Sequence, residues 1–353
     1  MKKMEKFTDI GQFRNVIKSI VNRAQYVGQD ENDEPIYDHS VGKPKVVFTG
    51  TVKLHGTNLG VCYNANDGLW VQSRSNKITP EKDNAGSAFA VMNNERNWQK
   101  LINDVITKES IDASENNVCI YGEWCGGNIQ KGVAISGLDK MACIFAVKIS
   151  PHDEEQESYY VSSSGLSDNE VNIFNIEQFG KYEIEIDFER PDKAQNTMVQ
   201  MVQEVEDECP CGKFFGRIKG EDNTCGEGIV FATMFKGHRY IYKAKGQKHS
   251  ISKTKTIAEV DVAKLDSIME FVEYAVTTNR LNQGIEVVFT ANNLEVDIKH
   301  TGSYLKWLVG DITKEESDVM DENGLEPKDV NKHVSYKGRQ WFMNYINSGL
   351  GIK

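Results

Sequence analysis

Four short stretches of this chain combine amines, carboxylates and glycines in patterns that can do chemistry. Lys53-Leu54-His55-Gly56-Thr57-Asn58 lies between two strand-like runs, and Tyr121-Gly122-Glu123-Trp124 ends another run on a carboxylate shortly before Gly126-Gly127. Gly226-Glu227-Gly228 sets a carboxylate between glycines at a strand start, and Tyr242-Lys243-Ala244-Lys245-Gly246 carries two lysines two apart, so on one face of a strand. A lysine amine can serve as nucleophile or phosphate ligand, and a carboxylate can hold a hard cation. Each stretch alone has a plainer reading: a solvated lysine near a turn glycine, a strand edge, a tight turn, a solvated strand face. Their order along the chain carries more than any one of them.

The elements that must position these residues are legible as changes of period. Phe13, Ile17, Ile20 and Val21 recur at helical spacing, with Thr8 as candidate N-cap. Strand patterns follow over 45–74, with Asn66-Asp67-Gly68 as a hairpin turn, then a helix over about 88–106 and strands at 118–124 and 141–149. Two more strands are expected at 228–234 and 239–245. Beyond Lys255 the pattern turns helical: Leu265, Ile268, Met269, Val272, Ala275 and Val276 share one face, Leu305, Leu308 and Ile312 a second, and Trp341, Phe342, Tyr345 and Ile346 a third. The expected boundary lies near 256, giving domains 1–255 and 256–353.

The 353 residues carry 41 Lys+Arg against 52 Asp+Glu, a net charge of −11 that argues against a general DNA-coating protein. The charge is uneven. Residues 151–209 hold 16 acidic and three basic residues, whereas Lys236–Lys255 holds seven Lys/Arg and no acid. The acidic segment reads as a solvated surface insertion. No apolar run approaches the roughly 18–20 residues of a membrane span, and no secretory signal stands at the N-terminus. Seven scattered cysteines suit a reducing cytoplasm. Cys209, Cys211 and Cys225 have a zinc-like spacing but lack a fourth ligand, which favours free thiols.

Taken in order, the four stretches, together with Arg74 and Phe145, resemble the motif series of the covalent nucleotidyltransferases. Within that superfamily the chain is similar to ATP-dependent RNA ligases of the RNA ligase 2 type, a group that includes phage and kinetoplastid editing ligases. Lys53-Leu54-His55-Gly56-Thr57-Asn58 is typical of these ligases, and Glu123–Val133 resembles their Gly-rich stretch ending in Gln130-Lys131. The helical tail, including Val276–Asn282, resembles their C-terminal domain. DNA ligases and capping enzymes continue into an OB-fold instead. The resemblance implies an α+β fold: an adenylyltransferase domain of two antiparallel sheets flanked by helices, followed by a small all-helical domain.

It also implies roles. Lys53 takes AMP from ATP, Glu123 holds the ribose, Phe145 stacks on adenine, and Arg74 contacts ribose or phosphates. Lys243 and Lys245 hold the α-phosphate, and Glu227 holds Mg²⁺ (or Mn²⁺). Thr57 and Asn58 contact nucleotides at the break, and His55 orients the site. Arg280 would help engage RNA or, with Asp311, form a surface ion pair. The implied partner is RNA with 5′-phosphate and 3′-hydroxyl ends, with a nicked duplex favoured; the protein would be a monomer of the cytoplasm (the host's, if phage-encoded). Rival readings are a DNA ligase or capping-type relative, and a non-catalytic RNA-binding relative. Two positions depart from the pattern: Val52 stands where many relatives have Glu, and Ala146 where many have Asp after the strand aromatic.

A nucleophilic lysine must lose a proton. With an ordinary pKa of about 10.4, only about 0.1% is neutral near pH 7.4, and lowering the pKa to ambient pH corresponds to roughly 4 kcal/mol. Lys243, Lys245 and the metal are the cations expected to do this.

Overall fold

Helix-period and strand-period stretches alternate through the first two thirds of the chain, and a computed structural model shows how they pair. It describes residues 4–348 except 39, 84, 128, 190, 218–223 and 247–267. Helix α1 (Phe13–Gln25) buries Val16 and Ile20. Its N-cap is Gln12 rather than Thr8, whose hydroxyl is instead 2.6 Å from that of Tyr160. The hairpin β1 (Tyr26–Gln29) and β2 (Pro35–Tyr37) follows, then β3 (Lys45–Val52), β4 (Gly56–Asn64), β5 (Gly68–Gln72) and β6 (Lys77–Ile78). The helix expected over 88–106 is two helices, α2 (Ser87–Asn93) and α3 (Glu95–Glu109). Asn94 breaks them: its φ of −116° and ψ of 29° are not helical, and its side chain donates to the Ala90 carbonyl.

Next come β7 (Asn116–Cys125), β8 (Met141–Pro151), β9 (Tyr159–Val161), β10 (Ile173–Asn175) and β11 (Lys181–Asp187). Helices α4 (Asp192–Asp207) and α5 (Pro210–Phe214) precede β12 (Gly228–Phe235) and β13 (His238–Lys245). The larger sheet has the order β10-β8-β7-β4-β5-β6, with β9 also on β8, and is antiparallel except that β10 runs parallel to β8. The smaller sheet has the order β11-β3-β12-β13. A core of Leu59, Val61, Trp98, Ile102, Ile120 and Ile144 packs α2 and α3 on one face of the larger sheet.

The acidic segment is part of this fold, not an inserted surface loop. Its strand β11 pairs with β3 from Lys181 opposite Thr51 to Asp187 opposite Lys45. Ile184 and Ile186 point into the core while Glu183 and Glu185 face solvent, the period-2 alternation of a half-buried strand. Helix α4 buries Met198, Val202 and Val205 in the same way. The negative charge sits mostly on the wet side of elements that the sheet requires, with Glu206 of α4 buried.

Contacts divide the chain into units Met1–Ala244 and Lys245–Lys353. The expected boundary near 256, and Leu265 with it, lie outside the described residues. The second unit holds α6 (Ile268–Ala275), α7 (Thr278–Val288), α8 (Thr301–Glu315), α9 (Ser317–Glu322) and α10 (Pro327–Asn347), around a core that includes Phe271, Tyr304, Leu308, Ile312 and Phe342. Arg280 is neither an RNA contact nor half of a surface pair: it is 1% exposed. Its guanidinium donates to Asp311 (3.0 Å), Glu316 (3.0 Å) and the Ala275 carbonyl (2.7 Å). Two carboxylates and a carbonyl satisfy a charge that water cannot reach. No helix among the described residues is long and apolar enough to cross a membrane.

Removing one partner of such a pair leaves the other charge buried and unpaired. Arg280→Ala is therefore expected to destabilise the helical unit by about 3–5 kcal/mol, read as an earlier urea transition. A loss under 1 kcal/mol would show that Glu316 and Asp311 find solvent.

Candidate active site

Lys53 lies on the three-residue link Lys53-Leu54-His55, which carries the chain from β3 of the smaller sheet to β4 of the larger one. Leu54 is buried and anchors the link. Lys53 and His55, on either side of it, both turn to Glu227: Lys53 Nζ is 2.6 Å and His55 Nδ1 3.3 Å from Glu227 Oε2. The backbone N–H of Lys53 donates to the Gly228 carbonyl at 2.8 Å, so the lysine is pinned twice to the start of β12. Gly228 has φ 144°, a backbone conformation that favours glycine, and it allows Glu227 to turn inward just before the strand begins.

Gly56 has a different reason to be glycine. A Cβ there would run into the carbonyl of Trp124, because β4 and β7 meet closely where Gly56 faces Cys125. Two residues on, Asn58 stands opposite Glu123 and Thr57 opposite Trp124. Directly opposed residues share a face of the sheet, so Asn58 lies with Glu123 and Thr57 with Trp124 on the reverse face.

The electrostatics differ from the expectation of an amine depressed by neighbouring cations. Burial alone would pull Lys53 down, but the carboxylates of Glu227 and Glu123 outweigh it and hold its pKa above the ordinary value of 10.5. Burial pushes Glu123 from 4.5 up to about 7, with Glu227 adding repulsion and Lys53, His55 and the Gly56 N–H offsetting part of it. The site is a set of mutually dependent charges in which Lys53 is the stabilised cation.

Phe145 is the extra residue of a β-bulge. Tyr121 pairs with Ala146 and Gly122 with Ile144, which leaves Phe145 without a partner on β7. Bulges re-aim side chains, and here both Phe145 and Ala146 join a cluster with Tyr121, Cys119 and Phe7. Lys243 and Lys245 are half-buried on β13 and alternate with the buried Tyr242 and Ala244. Arg74 follows β5 and pairs with Asp9 at 3.0 Å, both well exposed. An exposed pair contributes only about 0.2–1 kcal/mol, so Arg74 can exchange Asp9 for a phosphate at little cost. Gln130 is half-buried and Lys131 exposed, while Asn128 lies outside the described residues.

Among the described residues no three His, Cys, Asp or Glu side chains gather as a metal site. That applies to Cys209, Cys211 and Cys225, of which the first two are buried free thiols pushed up by burial. Glu227 still offers hard carboxylate oxygens, which fits Mg²⁺: that ion commonly takes one or two carboxylates and completes its shell with water and substrate phosphates. Periodicity and motifs gave no sign of Phe7, or of the Cys125–Cys143 pair with sulfurs 3.8 Å apart. The one available signal for Phe7 is a lone aromatic in an otherwise polar leader.

Two sheets meeting at a lysine flanked by carboxylates define a nucleotidyltransferase-like domain. Residues 46–245 match the RNA ligase family model, and the chain belongs to that family. Structures of an RNA ligase from Naegleria gruberi, one with ATP and Mn and one with PPi, are similar at 17% identity with TM-scores of 0.40 and 0.39. The match covers 69% of this chain and 56% of that one, so the chain spans little more than half the length of that ligase. No curated protein sequence matches the chain.

Two outcomes are expected from this geometry. In the fold Glu123 keeps its proton up to about pH 7, whereas the unfolded chain releases it near 4.5. The native state therefore binds the extra proton in between, and stability falls as pH rises from about 4.5 to 7. Glu123→Gln should flatten that fall in urea titrations; an unchanged slope would place the titration elsewhere. Gly56→Ala should force β4 from β7 and lower the melting temperature by several degrees, while Gly68→Ala, at a turn where a Cβ meets nothing, should act only through its backbone angle.

Proposed function

We propose that the protein is an ATP-dependent RNA ligase that joins an RNA 3′-hydroxyl to an RNA 5′-phosphate through an AMP bound to Lys53. The observation that supports this best is the placing of Lys53 on the link between the sheets, within hydrogen-bond reach of Glu227 and under the influence of Glu123. The chain's membership of the RNA ligase family makes nucleotide transfer to RNA the natural use of that geometry.

In the first step Lys53 Nζ attacks the α-phosphorus of ATP, the bond to pyrophosphate breaks, and a P–N bond forms. The amine must first lose the proton that sits on its 2.6 Å bond to Glu227 Oε2. Lys243 and Lys245, with a cation held by that carboxylate, would disfavour the ammonium form and release the proton to solvent. His55, on the same oxygen, orients that carboxylate. In the second step an oxygen of the RNA 5′-phosphate attacks the same phosphorus and returns Lys53 as an amine. In the third the 3′-hydroxyl attacks the RNA phosphate and AMP leaves, with a phosphodiester as product.

Glu123 holds the ribose hydroxyls, and Phe145, aimed by its bulge, stacks on adenine. Arg74 moves from Asp9 to the nucleotide, and Lys243 and Lys245 hold the α-phosphate, where developing charge rewards fixed cations. Asn58, on the face of β4 that carries Glu123, contacts the nucleotides at the break, whereas Thr57 lies on the reverse face with Trp124 and is the weaker candidate. A divalent cation, Mg²⁺ or Mn²⁺, would be held by Glu227 and supplies neutralisation of phosphate charge. RNA is held mainly through phosphates and A-form shape, with little sequence preference. A nicked duplex is the favoured substrate, and the protein works as a monomer in a reducing cytoplasm, where its free cysteines stay reduced.

Incubation with α-labelled ATP and Mg²⁺ should label the protein, and Lys53→Ala should abolish the label. Lys245→Ala should slow labelling by about 10²–10³-fold, as loss of a preorganised contact to developing charge does. A chase with nicked duplexes should move the label to RNA 5′-phosphates in preference to DNA. Labelling that survives Lys53→Ala would sink the mechanism, and a clear preference for DNA nicks would sink the substrate.

A further inference from the structure

The stretch from Glu5 to Ile10 forms no helix or strand, yet it is fastened along its length to the larger sheet. The Glu5 N–H donates to Gln72 Oε1 at 3.2 Å, and its carbonyl accepts from Gln72 Nε2 and from the Tyr121 hydroxyl. Lys148 Nζ donates to the Lys6 carbonyl at 3.0 Å, and the Thr8 N–H donates to the Tyr160 hydroxyl at 3.1 Å. Gly11 N–H then donates to the Ile241 carbonyl at 2.9 Å, so this strap ends on β13 of the smaller sheet. It crosses from one sheet to the other beside the residues assigned to the nucleotide.

At its middle is Phe7. Its ring lies 5.1 Å from that of Tyr121 and 5.9 Å from that of Tyr160. It meets Phe145 edge-on, with centroids 5.3 Å apart and planes at 66°, within the range that aromatic quadrupoles prefer. Phe145 is the extra residue of a bulge, so no residue of β7 stands directly opposite it, although it packs near Tyr121 and Cys119. Phe7 is the aromatic whose ring meets its ring edge-on.

We propose that Phe7 is a positioning residue for nucleotide binding: it props Phe145 in the orientation that accepts the adenine base, and the strap Glu5–Gly11 holds Phe7 there. This rests on the reading of Phe145 as the adenine-stacking residue. A ring already held loses no rotamer freedom when the base arrives, so the contribution appears as affinity for ATP. It is absent wherever Phe145 is absent.

The test is ATP affinity by calorimetry on the full chain. Phe7→Ala and Phe7→Leu, the second keeping apolar bulk without a ring, should each weaken ATP binding about tenfold, equivalent to about 1.4 kcal/mol. In a Phe145→Ala background the same changes should alter affinity by less than about twofold, because the effect passes through Phe145. Wild-type affinity in both single variants would overturn the proposal, and so would losses that multiply in the double variant. Wild-type protein that binds ATP but never labels Lys53 would overturn the ligase reading, while the affinity cycle would still decide the role of Phe7. Wild-type protein that binds no ATP would overturn both.

Discussion

The short bond between Lys53 Nζ and Glu227 Oε2 joins the end of one strand to the start of another, 174 residues away in sequence. Much of the first unit can be understood as what that bond requires. Lys53 must leave β3 and lead into β4, so the link between the two sheets is only three residues long, and Leu54 is buried to hold it. Glu227 must reach inward before β12 starts, so Gly228 supplies a backbone angle that other residues resist. Glu227 is buried and Lys53 and Glu123 are half-buried beside it, and these charges are tolerable together because an unpaired buried charge would carry a desolvation cost of several kcal/mol.

The same arrangement sets a tension that suits group transfer. Glu227 and Glu123 hold Lys53 as a cation, whereas the proposed attack on phosphorus needs the neutral amine. The stored form is thus the protonated one, with the proton lying along a defined bond to a defined oxygen. Glu123, held near neutrality by burial, couples the charge of the pocket to pH in the physiological range. Around this centre the fold contributes devices of a different kind: a bulge that frees Phe145 from the sheet ladder, and an irregular strap that fixes it again.

Charge, too, acquires meaning only by position. The net charge of −11 speaks against a nucleic-acid partner when read as a total. In the fold, the acids of 181–187 alternate with isoleucines on a strand that edges the smaller sheet, so they are the solvated half of a necessary element. Arg280 is the converse case: a charged residue amid helix-forming neighbours that looks like a surface contact, yet lies fully buried between Asp311 and Glu316.

By itself the sequence determined what depends on near neighbours. The strands around Lys53, Glu123, Glu227 and Lys243 follow from alternation within a few residues, and the helical tail from its 3.6 period, because backbone geometry puts those side chains on one face whatever lies across from them. The order of the motifs pointed to the family for the same local reason. Only the tertiary structure decided which charges meet. That Lys53 is raised rather than lowered, that β11 is structural, that Asn94 divides a helix and that Phe7 props Phe145 all depend on contacts between distant segments. No local pattern encodes those distances; they are set when two sheets close around a buried link.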